Sequence, residues 1–170
     1  MKIRVLSWLE NEMFRELTRK NKKIENSECV EILKSEKRGV LSVIGDENYP
    51  YGMPMNHFYD ERDGKIYFHC GKGGHRADAL KINDKVSFCV YDAGYKKEGE
   101  WALNIRSVIV FGRMNIINDE KKIVDITRRL CRKFTDDEEY IEKEIKAFAS
   151  KTLLLELCPE HICGKTVNES

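Results

Sequence analysis

The chain has 170 residues, the size of one ordinary domain and long enough to bury a real core. Charged residues make up 35% of it, yet the formal net charge is only +1, a balance that argues against a dedicated nucleic-acid binder. No apolar run approaches a membrane span, and the start MKIRVLSWLENEM lacks the sustained apolar core of a signal peptide.

In chain order, residues up to about Lys23 read as helix, with Met13, Phe14 and Leu17 at helical spacing. Asn26 or Ser27 can cap a short second helix through Lys37, with Cys29, Ile32 and Leu33 on its apolar side and Gly39 at its end. A β region follows. Residues 39–45 make one strand, Asp46-Glu47-Asn48 a turn, and 51–60 a second strand in which Pro54 demands an edge or a bulge. Arg62-Asp63-Gly64 is a hairpin turn into a strand over 65–70.

That strand leads into the most informative stretch. Ile66-Tyr67-Phe68-His69-Cys70 is β-branched and aromatic, and it breaks at once into Gly71-Lys72-Gly73-Gly74. His75 and Arg76 then open a segment of good helix formers. A glycine turn into a helix start exposes free N–H groups, and the helix dipole there favours negative charge. Lys72, His75 and Arg76 add side-chain donors, so the motif predicts a phosphate-sized anion site beside the aromatic end of a strand. Neither GxxxxGK[ST] nor GxGxxG is present, so nothing supports a P-loop or Rossmann reading.

Two further strands are expected at 85–91 and 107–117, with a long loop carrying Trp101 between them. The pattern then changes to a period of 3.6. Ile123, Ile126, Leu130 and Phe134 form one helical stripe, and Thr135 through Glu138 has capping-box spacing before Tyr140, Ile141, Ile145 and Phe148. Residues 152–157 read as a last strand. The six cysteines, Cys29, Cys70, Cys89, Cys131, Cys158 and Cys163, form no dense framework and fit reduced thiols in a cytoplasmic protein. Cys158, His161 and Cys163 lack a paired CxxC and a fourth ligand, so no metal site is expected. Consecutive antiparallel strands with late helices indicate a mainly β protein, a β-barrel with peripheral helices.

The ordered set GVLSV from Gly39, YPYGMPMNH from Tyr49, IYFHC from Ile66, GHR from Gly74, RSVIVFG from Arg106 and HICGK from His161 resembles the pyridoxamine 5'-phosphate oxidase-like flavin-binding family. Within it, the nitroimidazole-resistance (Nim-type) branch is the most similar. The resemblance covers residues 13–165, leaving 1–12 as an N-terminal extension to a single domain over 13–170. It implies an FMN-binding split β-barrel, a homodimer with FMN at the subunit interface, FAD replacing it in some members. Carried over by position, Gly74, His75 and Arg76 would surround the phosphate with Lys72 nearby. Met53, Pro54, Met55, Asn56 and Phe68 would line the flavin. His69 would stand at its reactive side as the catalytic residue, and Ser107, Gly164 and Lys165 would complete the site, from the partner subunit in one arrangement. The expected activity is electron transfer from an electron donor to a small organic acceptor such as a nitroaromatic. The alternative is a non-catalytic flavin or haem protein, with His69, His75 or His161 as an axial ligand. Vitamin B6 oxidation is not expected, because Met53, Met55 and His57 stand where the oxidase proper has an Arg-rich strand.

Overall fold

The computed structural model describes residues 14–169; the 1–12 extension and Met13 lie outside them. Its helices are α1 (Asn26–Ser35), α2 (His75–Ile82), α3 (Glu120–Cys131) and α4 (Glu138–Phe148). Its strands are β1 (Arg38–Ile44), β2 (Pro50–Asn56), β3 (Phe58–Asp60), β4 (Lys65–Gly71), β5 (Lys85–Tyr91), β6 (Tyr95–Lys96), β7 (Leu103–Ile117) and β8 (Thr152–Asn168). They form one antiparallel sheet in the order β2-β1-β5-β7-β8-β4-β3, with β6 paired to β7. The sheet curls so that β2 approaches β4, and this is the split barrel that the sequence predicts.

Alternation decides which side chains fill it. Leu41 and Val43 of β1, Val86, Phe88 and Val90 of β5, and Val108 and Val110 of β7 point inward with Met53, Met55, Ile66 and Phe68. α1 closes one side with Cys29, Ile32 and Leu33. α3 covers the outer face of β4, where Ile123 and Ile126 pack on Tyr67 and Leu154. Beneath α3 the buried Glu156 accepts hydrogen bonds from Lys65 (2.9 Å), Tyr67 (3.1 Å) and Asn115 (3.3 Å), and also pairs with Lys122. Burial alone would raise this carboxyl, but those donors outweigh it and hold it at about 2.

Several elements differ from expectation. Residues 14–23 are not an α-helix: only Lys20–Lys22 form a 3-10 turn, because Phe14 is drawn into a stack on His161 (4.9 Å) and Phe111 (5.6 Å). Glu25, not Asn26 or Ser27, precedes α1, with its N–H donated to Glu28. Gly39 does not end a helix. It lies inside β1, where a Cβ would come within 2.4 Å of the Phe88 ring. The strand expected over 51–60 breaks at buried His57, whose N–H donates to the Lys37 carbonyl. Pro54 is accommodated because β2 is a terminal strand of the sheet. Asp137, not Thr135, caps α4, and Glu138 pairs with Arg132 instead of closing a capping box. Tyr140 and Phe148 are exposed rather than on the buried stripe, and Phe134 falls beyond the end of α3 under Lys37 and Arg38. The last strand runs eleven residues past Leu157, carrying His161, Cys163 and Lys165 within the sheet.

Candidate functional site

The seam between β2 and β4 is where the sheet leaves backbone unpaired. β3 pairs with β4 only at Lys65, Ile66 and Tyr67, so Phe68, His69, Cys70 and Gly71 have one free edge. Among the described residues β2 pairs only with β1, so its other edge is free there as well. The glycine loop 71–74 and the start of α2 lie at one end of this seam. A Cβ at Gly71, Gly73 or Gly74 would meet nothing within 4 Å, so packing does not require these glycines. Gly74 is needed for its conformation, φ +102°, which turns the chain from β4 into α2.

Arg76, in the first turn of α2, reaches back over β2. Its Nη1 lies 3.1 Å from Met55 Sδ and 3.5 Å from Met53 Sδ, and its Nε is buried with no hydrogen-bond partner. Thioether sulfurs are weak acceptors for a guanidinium, and an ion-paired carboxylate is absent among the described residues. A half-buried cation with an unused donor, beside open N–H groups, is matched to an anion. Cys70 shares this side: burial raises its thiol, and the Arg76 guanidinium beside it pulls the other way. His75 is turned differently. Its ring stacks on Tyr51 at 4.3 Å, and its Nε2 accepts from the Asp46 N–H at 3.3 Å, tying α2 to the β1–β2 turn. Lys72 is exposed on the loop.

The remaining predicted residues divide. Met53 and Met55 point inward under Arg76, while Pro54 and Asn56 lie on the other face of β2. Phe68 is buried in the barrel, edge-on to Phe88 at 5.0 Å. His69 shares the outer face with Tyr67, opposite Cys70. Burial lowers its pKa and keeps it neutral, and its Nδ1 has no partner. Ser107 and Lys165 are register partners of each other at the far end of the sheet, level with the start of β1. Met55, against the Arg76 guanidinium, pairs with Gly39 near that same end. The separation from Arg76 runs across the sheet: β7 and β8 are three and four strands from β2, roughly 14 and 19 Å along the sheet. Two contributors carry no expectation from the sequence: Cys70, which strand alternation turns toward Arg76, and Tyr51, which gives no signal beyond its place in a strand.

A family model described as pyridoxamine 5'-phosphate oxidase matches residues 25–166. Among curated proteins, none matches the chain by sequence. Among solved structures, a candidate 5-nitroimidazole antibiotic resistance protein from Bacteroides thetaiotaomicron superposes with a TM-score of 0.73 at 17% identity, covering 86% of this chain and 87% of that one. A conserved hypothetical protein from Mycobacterium tuberculosis gives 0.75 at 15%, covering 88% and 89%. An FAD-binding protein from Mesorhizobium loti gives 0.61 at 19%, covering 85% and 96%.

Proposed function

The chain belongs to the pyridoxamine 5'-phosphate oxidase family, and from that membership we propose a homodimeric flavoprotein oxidoreductase that binds FMN and reduces a small organic acceptor such as a nitroaromatic. The observation that carries the reading is Arg76, a half-buried cation whose Nε lacks a partner, set where a glycine loop opens toward the β2–β4 seam. Its surroundings fit a phosphate monoester: the Arg76 fork, the N–H groups at the start of α2, and Lys72 on the loop. The descriptions of the Bacteroides and Mesorhizobium neighbours support the acceptor class and the flavin, respectively.

A bound flavin supplies the redox chemistry at its isoalloxazine ring. The chain's own part is to hold the phosphate with Arg76, to wall the seam with Met53, Met55 and Cys70, and to present the free edge of Phe68, His69 and Cys70. The three strands that lie between β2, under Arg76, and β8, which carries Lys165, favour a site completed by a second subunit. The outer face of the sheet offers the surface for it. Val40, Cys89, Ile109 and Cys163 form one row across four strands, and Ser42, Ser87, Phe111 and His161 form the next. Val40 and Phe111 are partly exposed there, in two rows that hold no Asp, Glu, Lys or Arg. Purified protein is expected to be yellow, to release a ligand with the mass of FMN, and to scatter light as twice the 19.9 kDa chain. A Soret band would instead identify haem, and a flavin-loaded monomer would remove the shared site.

In this proposal His69 handles the proton, entering as a neutral imidazole. His69→Ala should retain FMN yet slow reoxidation of the reduced protein by the acceptor by about a hundredfold. Stopped-flow reoxidation also locates the ring system. His69 faces away from Arg76, so a slowed rate puts the isoalloxazine on the outer side of the seam. An unchanged rate excludes His69 from the chemistry.

A further inference from the structure

Lys133 sits just beyond the end of α3, its N–H donating to the Leu130 carbonyl. Its Nζ donates to two backbone carbonyls, Glu36 at 2.6 Å and His57 at 3.1 Å, and it makes no ion pair among the described residues. Glu36 follows the last residue of α1 and His57 is the break between β2 and β3, so one amine ties three elements together. A neutral amine has two hydrogens, and these two acceptors use both. The third hydrogen of an ammonium has no acceptor among the described residues. The contacts therefore satisfy the uncharged form and leave the charged one short of a partner in a half-buried place.

The charged neighbours bear on the same balance. Burial brings the Lys133 amine down to about 8; Glu36 pulls the other way, and the Lys37 charge adds to the fall. The His57 ring beneath it is neutral. Asp60 is taken up by Arg62 and Arg129, and Glu61 by Lys34 at 2.8 Å. Lys133 also has access, because it lines a cleft of about 250 Å³ between α1, β3 and the end of α3. With Lys133 neutral, three lining cations (Lys34, Arg62 and Arg129) face two carboxylates (Asp60 and Glu61), a positive balance of one. Phe58, 4.5 Å under the Arg129 guanidinium, gives the wall an apolar part. The volume lies below that of drug-sized sites and suits an anion of a few heavy atoms.

We propose that Lys133 is a nucleophile for small acyl phosphates, and that this cleft is where the chain is acylated. The Nζ lone pair attacks the acyl carbon and forms the amide C–N bond. The C–O bond to phosphate breaks, inorganic phosphate leaves with the electron pair, and Nζ gives up one proton to water. No electrons are transferred, and the cleft shares no residue with the seam, so the site stands whether or not the protein holds a flavin. The amide keeps one hydrogen. Either the Glu36 or the His57 carbonyl then loses its donor, and acylation loosens the junction that Lys133 ties.

The probe is acetyl phosphate, incubated with the full-length protein between about pH 6.5 and 10, with acetylation read lysine by lysine by peptide mass spectrometry. At pH 7.5 an amine titrating near 8 is about one-quarter neutral, against roughly 0.1% for an ordinary lysine. Lys133 should therefore react on the order of tenfold or more faster than the exposed Lys143 and Lys146 of α4. Its rate should level off above about pH 8, whereas free Nα-acetyl-lysine in the same tube keeps accelerating toward pH 10. In urea the preference should vanish, and with uncharged phenyl acetate it should shrink about threefold, because the phosphate no longer meets the cations of the cleft. Lys133 reacting no faster than Lys143 and Lys146, a rate still climbing at pH 10, or an equal preference with phenyl acetate would each overturn the proposal.

Discussion

Arg76→Ala is expected to weaken FMN by about 10- to 150-fold while changing riboflavin affinity little. A charge-assisted hydrogen bond to phosphate contributes roughly 1.5–3 kcal/mol, and each 1.4 kcal/mol is a factor of ten. Among the described residues the polar contacts of Arg76 are the sulfurs of Met53 and Met55 and the Cys70 thiol, and its Nε is buried without a partner there. Riboflavin, which has the ring system but no phosphate, is the internal control for damage to the methionine wall. Arg76→Lys should recover part of the FMN affinity, since it keeps the charge but not the fork. Equal losses for FMN and riboflavin would place the phosphate elsewhere.

The second large effect is on stability at acid pH. His57 is fully buried at the break between β2 and β3, with its Nε2 2.8 Å from the Leu33 carbonyl and its Nδ1 without a partner. Burial, and then the nearby charge of Lys133, bring its pKa down to about 3. The native state therefore keeps His57 neutral while the unfolded chain takes up a proton near pH 6.5. Stability is full above that value and falls as the pH drops toward 3. The loss from this one group should be about 2 kcal/mol by pH 5 and about 3 kcal/mol by pH 4. His69, also lowered by burial, adds in the same direction. Glu156, held at about 2, adds its own loss from about pH 5 downward, as the unfolded carboxyl begins to take up its proton, and the loss is complete near pH 2. The interval between pH 6.5 and 5 thus isolates the histidines. Urea midpoints measured across it should slope for the parent protein, and the slope should fall by roughly half or more in His57→Gln. An identical slope in both would assign the acid sensitivity to other groups.

These two residues also mark what the sequence could reveal. The turn ahead of Arg76 was legible because glycines carry their meaning locally: the loop 71–74 turns the chain from β4 into α2. The strand cores of β1, β5 and β7 were legible for the same reason, since alternation is a property of neighbours. His57 was not, because the alternation of Tyr51 to Tyr59 runs through it unbroken. The break comes from the Lys37 carbonyl, supplied by a segment before β1. Phe14 and Leu17 were misread as one face of a helix because their spacing is helical, whereas the partners of Phe14, Phe111 and His161, are distant strand residues. The second half of β8 was hidden by Pro159 and by half-exposed residues with no clear apolar face. The number of strands between Lys165 and Arg76 follows from the order of the sheet, which no local pattern encodes.

That order has a consequence for how the chain comes into being. Among the described residues β4 and β3 join the rest of the sheet only through β8, which leaves the ribosome after the other seven strands. Tyr67 and the Glu156 that receives its hydroxyl are 89 residues apart. At about 5–20 residues per second, the emerging β4 waits roughly 4 to 18 s for its partner. During that interval Ile66 and Phe68 have no sheet to enter, and the nascent hairpin is a natural client for a holdase chaperone.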